Sequence, residues 1–168
     1  REDVLIEWEQ DGQAHQIHYS QGEAVKSING KPDPDAKPTS TFNTVMSATF
    51  VLSIPFNFLD EGAALSHDGT TTLEDGTSVE VLKIRYDPTA HDNLTTADTW
   101  WVYFDATDHR LLGYMVQHAD HYSYVRNLSF IEAGGFLFPK ERKSWRVNPD
   151  RSKQYLRAEY VYSDFVVQ

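Results

Sequence analysis

The chain contains no cysteine, so neither a disulfide framework nor a thiolate nucleophile is available to it. That absence is neutral on compartment. Positive charge is scarce too: 15 Lys and Arg stand against 25 Asp and Glu, for a formal net charge of −10. This balance argues against nucleic acid and against adsorption to anionic headgroups, which both reward clustered cations. The one basic cluster, Lys140-Glu141-Arg142-Lys143, is interrupted by an acid and is expected on a solvated strand face. No apolar run approaches the roughly 18 residues of a membrane-spanning helix. The opening residues REDVLIEWEQ do not resemble a signal peptide, so an exported protein is expected to have lost its targeting segment ahead of Arg1. A glycine-rich phosphate loop and a G-x-S-x-G elbow are both missing. These gaps favour a non-enzyme without a cofactor.

What is present is strand pattern. At 168 residues and 40% hydrophobic, the chain can bury a core as one domain spanning 1–168. The stretch Asp98–Asn148 reads as consecutive antiparallel strands. Within Thr99–Asp105, Trp100, Val102 and Phe104 face one way and Trp101 and Tyr103 the other, because strand side chains alternate. Aromatics on both faces predict a core on one side and partial cover, or a groove, on the other. The turn Asp105–Arg110 leads back into Leu111–His118, with Leu112, Tyr114, Val116 and His118 expected on one face. Ser123–Ile131 follows, then Gly134-Gly135 and a fourth strand in which Pro139 marks an edge or bulge.

The N-terminal part predicts a meander: Val4–Trp8, Ala14–Ser20 and Glu23–Ile28, separated by Asp11-Gly12, Gln21-Gly22 and Asn29-Gly30. Lys31–Ser40 reads as a loop. Thr39, Ser40 or Thr41 is the expected cap of a helix carrying Phe42, Val45, Met46, Thr49 and Phe50 on one face, ending before Pro55. Phe56–Ala64 holds at most a short helical turn. Ala63–Asp68, Thr70–Leu73 and Ser78–Tyr86 read as strands, Asp87–Ala97 as a polar loop, and Lys153–Val167 as the last strand. The fold class expected is α+β: about ten strands in an antiparallel sheet that curls around one or two helices.

The order of four segments, SIPFNFLDEG, LEDGTSVEVLKIRY, TWWVYFDATDHRLLGY and GGFLFPKERKSW, resembles the LolA-like family of cell-envelope proteins. The resemblance runs from about Phe42 to the C-terminus. It implies a strongly curved, half-open antiparallel sheet whose concave face is covered by helices, with an apolar cavity between. It also implies a periplasmic or secreted location, and as ligand a lipid, a lipoprotein acyl chain or another hydrophobic small molecule. The insertion at about 40–60 would be the lid. Phe42, Met46, Phe50, Phe56 and Phe58 would line the cavity with Trp100, Trp101, Tyr103 and Tyr114. Burying an acyl chain contributes roughly 0.8 kcal/mol per methylene before ordering costs.

Two other readings come from the residues. One is a protein-interaction module whose interior is simply filled. The other is a metal-dependent hydrolase using His118, Asp120 and His121; a zinc ion there would take His118, Asp120 and one remote histidine as ligands. In a continuous strand His118 and His121 point oppositely, so they share an ion only if the segment turns. His15 and His18 meet the same objection. The acid pair Asp60-Glu61 reads as solvent-facing charge at a helix end.

Overall fold

The computed structural model describes residues 3–59, 61–87 and 98–163. The chain forms two compact units, Arg1–Ile54 and Pro55–Gln168. Both are dominated by antiparallel sheet. Among the described residues there are eleven strands in two sheets, one α-helix and one 3-10 turn, where the sequence suggested about ten strands in one sheet.

The first unit is the expected meander. Strands β1 (Asp3–Gln10), β2 (Gln13–Ser20), β3 (Glu23–Ile28) and the two-residue β4 (Lys31–Pro32) pair in chain order. Each of the first three connections is a two-residue turn with both residues left-handed. Asp11 and Gly12, for instance, have φ of 52° and 72°. Such turns match the right-handed twist of the flanking strands, which is why Asp-Gly and Asn-Gly signal hairpins so strongly. Helix α1 (Pro38–Ser53) packs on β2 and β3. It starts earlier than Thr39–Thr41 predicts, because Pro38 takes the first helical position, where its missing N–H costs nothing. Lys37 precedes it without a side-chain cap. The buried positions are therefore Thr41 and Val45, while Phe42 is partly exposed and sits 5.9 Å from the Tyr19 ring of β2. Ile54 is extended, as Pro55 requires of the residue before it.

The second unit opens with the 3-10 turn Phe56–Leu59. Seven strands follow: β5 (Ala63–Thr72), β6 (Ser78–Tyr86), β7 (Thr99–Asp105), β8 (Leu111–Gln117), β9 (Tyr122–Ala133), β10 (Phe136–Val147) and β11 (Lys153–Val161). They lie side by side in chain order, each antiparallel to the next. β5 is continuous where two strands were expected; Gly69, at φ 86°, absorbs a register shift between His67 and Thr70 without ending the strand. β11 stops at Val161, short of the expected Val167: Tyr162 and Ser163 are not in strand, and residues 164–167 lie outside the described residues, as does most of the polar loop after Asp87. Pro139 sits at a register shift, just beyond the point where β11 pairs with β10, so its missing donor disturbs no ladder there.

Two expectations about faces are corrected. A bulge between Tyr103 and Phe104 shifts the β7–β8 register, and Leu112 joins the cluster of Tyr103, Met115 and Tyr124 instead of facing with Tyr114. Arg142, expected in solvent, is 3% exposed. Its place in an interior strand turns it inward, where Nη2 donates to the Tyr114 hydroxyl at 2.8 Å and the guanidinium lies 5.7 Å from the Tyr114 and Tyr162 ring centres. A buried cation persists only with such partners.

β8 and β9 approach closely at Gly113. A Cβ there would lie 2.3 Å from the Val125 carbonyl oxygen, a backbone atom that cannot step aside. Gly113 thus allows the close strand contact on which both faces of the sheet depend.

Candidate functional site

Alternation gives the seven-stranded sheet two unlike faces. On the first, Ile84, Trp100, Val102, Tyr114 and Val116 are all buried, and the Trp100 and Tyr114 rings lie 5.4 Å apart. The 3-10 turn belongs beside these strands: the Tyr86 hydroxyl donates to the Asn57 carbonyl at 3.0 Å, and Phe58 is buried. Burial pushes the Tyr114 phenol up to about 12, against the opposing pull of Arg142.

On the second face, Val81, Trp101, Tyr103, Met115 and Tyr122 floor an open groove of about 540 Å³, a volume within the roughly 300–1,000 Å³ of small-molecule sites. Its rim is charged: Lys83, Arg85 and Arg151 stand with Asp68 and Asp150. The Trp101 indole N–H donates to Asp68 at 3.1 Å, while the Lys83 ammonium lies 5.1 Å from the Trp101 ring centre. Arg151, in the β10–β11 turn, reaches the Thr71 hydroxyl at 3.2 Å and covers the Tyr103 ring at 5.9 Å. The aromatic row continues beyond the groove, with Tyr124 stacked on Trp145 at 5.8 Å and Lys153 over Trp145 at 4.0 Å. Burial pushes the Tyr103 phenol up, and Arg151 opposes that shift.

The aromatic residues singled out from the sequence therefore divide. Trp101 and Tyr103 share the groove, whereas Trp100 and Tyr114 lie together on the opposite face. Phe42, Met46 and Phe50 belong to α1 in the first unit. Phe56, exposed, packs edge-on to Phe136 at 5.9 Å, and Phe58 is buried, both in the second unit. The segment expected as a lid is thus divided between the units at Ile54 and Pro55. Sequence reasoning missed the rim, because Lys83, Arg85 and Arg151 come from distant segments. The alternation of Ser78–Tyr86 does set Val81, Lys83 and Arg85 on one face, and that was the available signal.

A second concavity, about 430 Å³, lies where β8 begins and includes Arg110, Arg126 and Asn127. Its cations are committed: Arg126 donates to Asp75 at 2.7 Å and to the Leu112 carbonyl at 3.0 Å, and Arg110 is paired with Asp108 at 2.6 Å.

The β8–β9 connection does turn. The His118 N–H donates to the His121 carbonyl at 2.8 Å, and the two imidazoles lie 4.4 Å apart between centres. His118 Nδ1 is 2.8 Å from an Asp98 oxygen and His121 Nδ1 is 2.5 Å from an Asp120 oxygen. No group of three or more metal-ligating side chains converges among the described residues. Of the acid pair, Glu61 is exposed and Asp60 lies outside the described residues. No helix among the described residues is long and apolar enough to cross a membrane. Comparison with known proteins finds no matching family model, no matching curated protein and no matching solved structure.

Proposed function

We propose that this protein is a non-enzymatic, LolA-like domain of the cell envelope, periplasmic or secreted, that holds a hydrophobic ligand against its seven-stranded sheet. In this reading the sheet is strongly curved and half open. The groove over Trp101, Tyr103, Met115 and Tyr122 takes a lipid or lipoprotein acyl chain. One observation carries the proposal: a largely apolar floor whose rim holds three cations, Lys83, Arg85 and Arg151, against two carboxylates, Asp68 and Asp150, a combination suited to an apolar chain with a polar or anionic head. The helix bearing Phe42, Met46 and Phe50 is not needed for it.

Native mass spectrometry of freshly purified protein, compared with its denatured mass and an organic extract of the same sample, tests the reading. A released species of lipid-like mass is expected, and Trp101→Glu should abolish it while the sheet stays folded. Retention of the same species by the variant would remove the groove from consideration.

A second reading, a protein-interaction module, draws on β11. This edge strand leaves Tyr155, Leu156, Tyr160 and Val161 exposed, and unpaired edges invite partners. It predicts protein complexes rather than small-molecule adducts in the same spectra, and no effect of Trp101→Glu.

A further inference from the structure

Each imidazole of the His118/His121 pair has its Nδ1 against a carboxylate oxygen, from Asp98 and Asp120 respectively. An ionised carboxylate only accepts, so in the neutral imidazole the contact places the ring proton on Nδ1 and leaves the lone pair on Nε2. Neither Nε2 is engaged by another group among the described residues. Metal-binding histidines are oriented in this way, a carboxylate behind the ring fixing tautomer and direction.

Spacing is the second requirement. Two imidazoles bound to one ion through nitrogens at about 2.0–2.1 Å place their ring centres about 4.5 Å apart at the right angle of a square or octahedral ion and about 5.2 Å apart at the tetrahedral angle. The observed separation is 4.4 Å. The turn that achieves it is held by the His118–His121 backbone hydrogen bond. Access is the third: the side chains of His118 and His121 are 31% and 26% exposed, so an ion with its water can reach them.

We propose that His118 and His121 form a two-imidazole site for a late first-row divalent ion, zinc, copper or nickel, with Asp98 and Asp120 as positioning residues behind the rings. Imidazole favours these metals over calcium or magnesium. Water completes the coordination, since no third protein ligand converges among the described residues. The site is independent of the groove ligand.

The test is titration of the chelator-treated full chain with Zn²⁺ alone, followed by calorimetry, together with the electron paramagnetic resonance spectrum of the Cu²⁺-loaded protein. One saturable Zn²⁺ per chain is expected. His118→Ala and His121→Ala should each weaken binding at least tenfold, Asp98→Asn about 10–100-fold, and His18→Ala, which alters a histidine of the first unit, should leave it unchanged. The wild-type Cu²⁺ spectrum should show two coordinated imidazole nitrogens, a readout that needs no variant to fold. Binding that survives loss of either histidine, a spectrum with fewer than two nitrogens, or no saturable binding would overturn the assignment.

Discussion

Trp100 and Trp101 are chain neighbours with opposite fates. Trp100 is 4% exposed among Ile84, Val102, Tyr114 and Val116. Trp101, on the other face, is half-buried, hydrogen-bonded to Asp68 and capped by Lys83. The cations follow the same division. Arg142 is buried on the first face between two tyrosines, while Lys83 and Arg151 stand at the groove rim of the second. Aromatic content does not distinguish the faces; what stands around the rings does. Trp100, enclosed on all sides, is core, whereas Trp101, flanked by the Asp68 and Lys83 side chains, keeps part of its ring open to the groove, where a ligand can share it above the buried Tyr103 and Met115.

The sharpest break of this comparison is to truncate each tryptophan. Trp100→Ala should cost about 3–5 kcal/mol, the range for emptying a large aromatic site in a packed core. Trp101→Ala should cost less, about 2 kcal/mol, for the part of the ring packed against the Tyr103–Met115 cluster together with one exposed hydrogen bond and one cation–π contact. Urea unfolding of both variants measures the difference, and equal losses would show that Trp101, like Tyr103 and Met115 beneath it, is structural core.

Much of the sheet was legible. Val79, Val81, Trp100 and Val102 alternate cleanly, and the Asp11-Gly12 and Asn29-Gly30 turns fall where the dipeptides place them. What was hidden depends on register. Leu112 changes face through a bulge whose cause lies in the pairing of β7 with β8, and Arg142 is buried because β11 makes β10 an interior strand. The groove was half visible: Trp101 and Tyr103 appear in one strand, but Arg151 reaches Tyr103 from a turn 48 residues onward. The histidine pair was judged by strand parity, which fails once the segment between β8 and β9 turns.

Alkaline pH sharpens the comparison at intermediate cost. Tyr114 on the first face and Tyr124 on the second are both pushed up to about 12, chiefly by burial. The unfolded chain loses these protons near pH 10 and the folded protein does not. The unfolded state therefore binds fewer protons in that window, and stability should be full below about pH 10 and fall as pH rises toward 12. Tyr114→Phe and Tyr124→Phe should each flatten part of that fall in urea titrations at stepped pH. At neutral pH they should differ, because Tyr114→Phe alone strips a buried hydroxyl from Arg142, at about 1–3 kcal/mol. Matching neutral-pH losses would mean that the hydroxyl contact carries no net stability.

The smallest effect belongs to Asp75, in the turn between β5 and β6. The Thr77 hydroxyl and N–H, and then Arg126, hold its carboxyl down to about 2. Its folded value lies below the unfolded one, so its contribution is present above about pH 4 and lost as pH falls toward 2. The side chain is 55% exposed and screened by water, which limits Asp75→Asn to less than about 1 kcal/mol at neutral pH. Arg126 keeps its bond to the Leu112 carbonyl in that variant, so the second face should lose no packing. The expected result is a shallower acid limb between about pH 4 and 2 with little change at neutrality. A neutral-pH loss above about 2 kcal/mol would assign Asp75 to holding the Leu73–Thr77 turn, through its bonds to Thr77, rather than to pairing with Arg126.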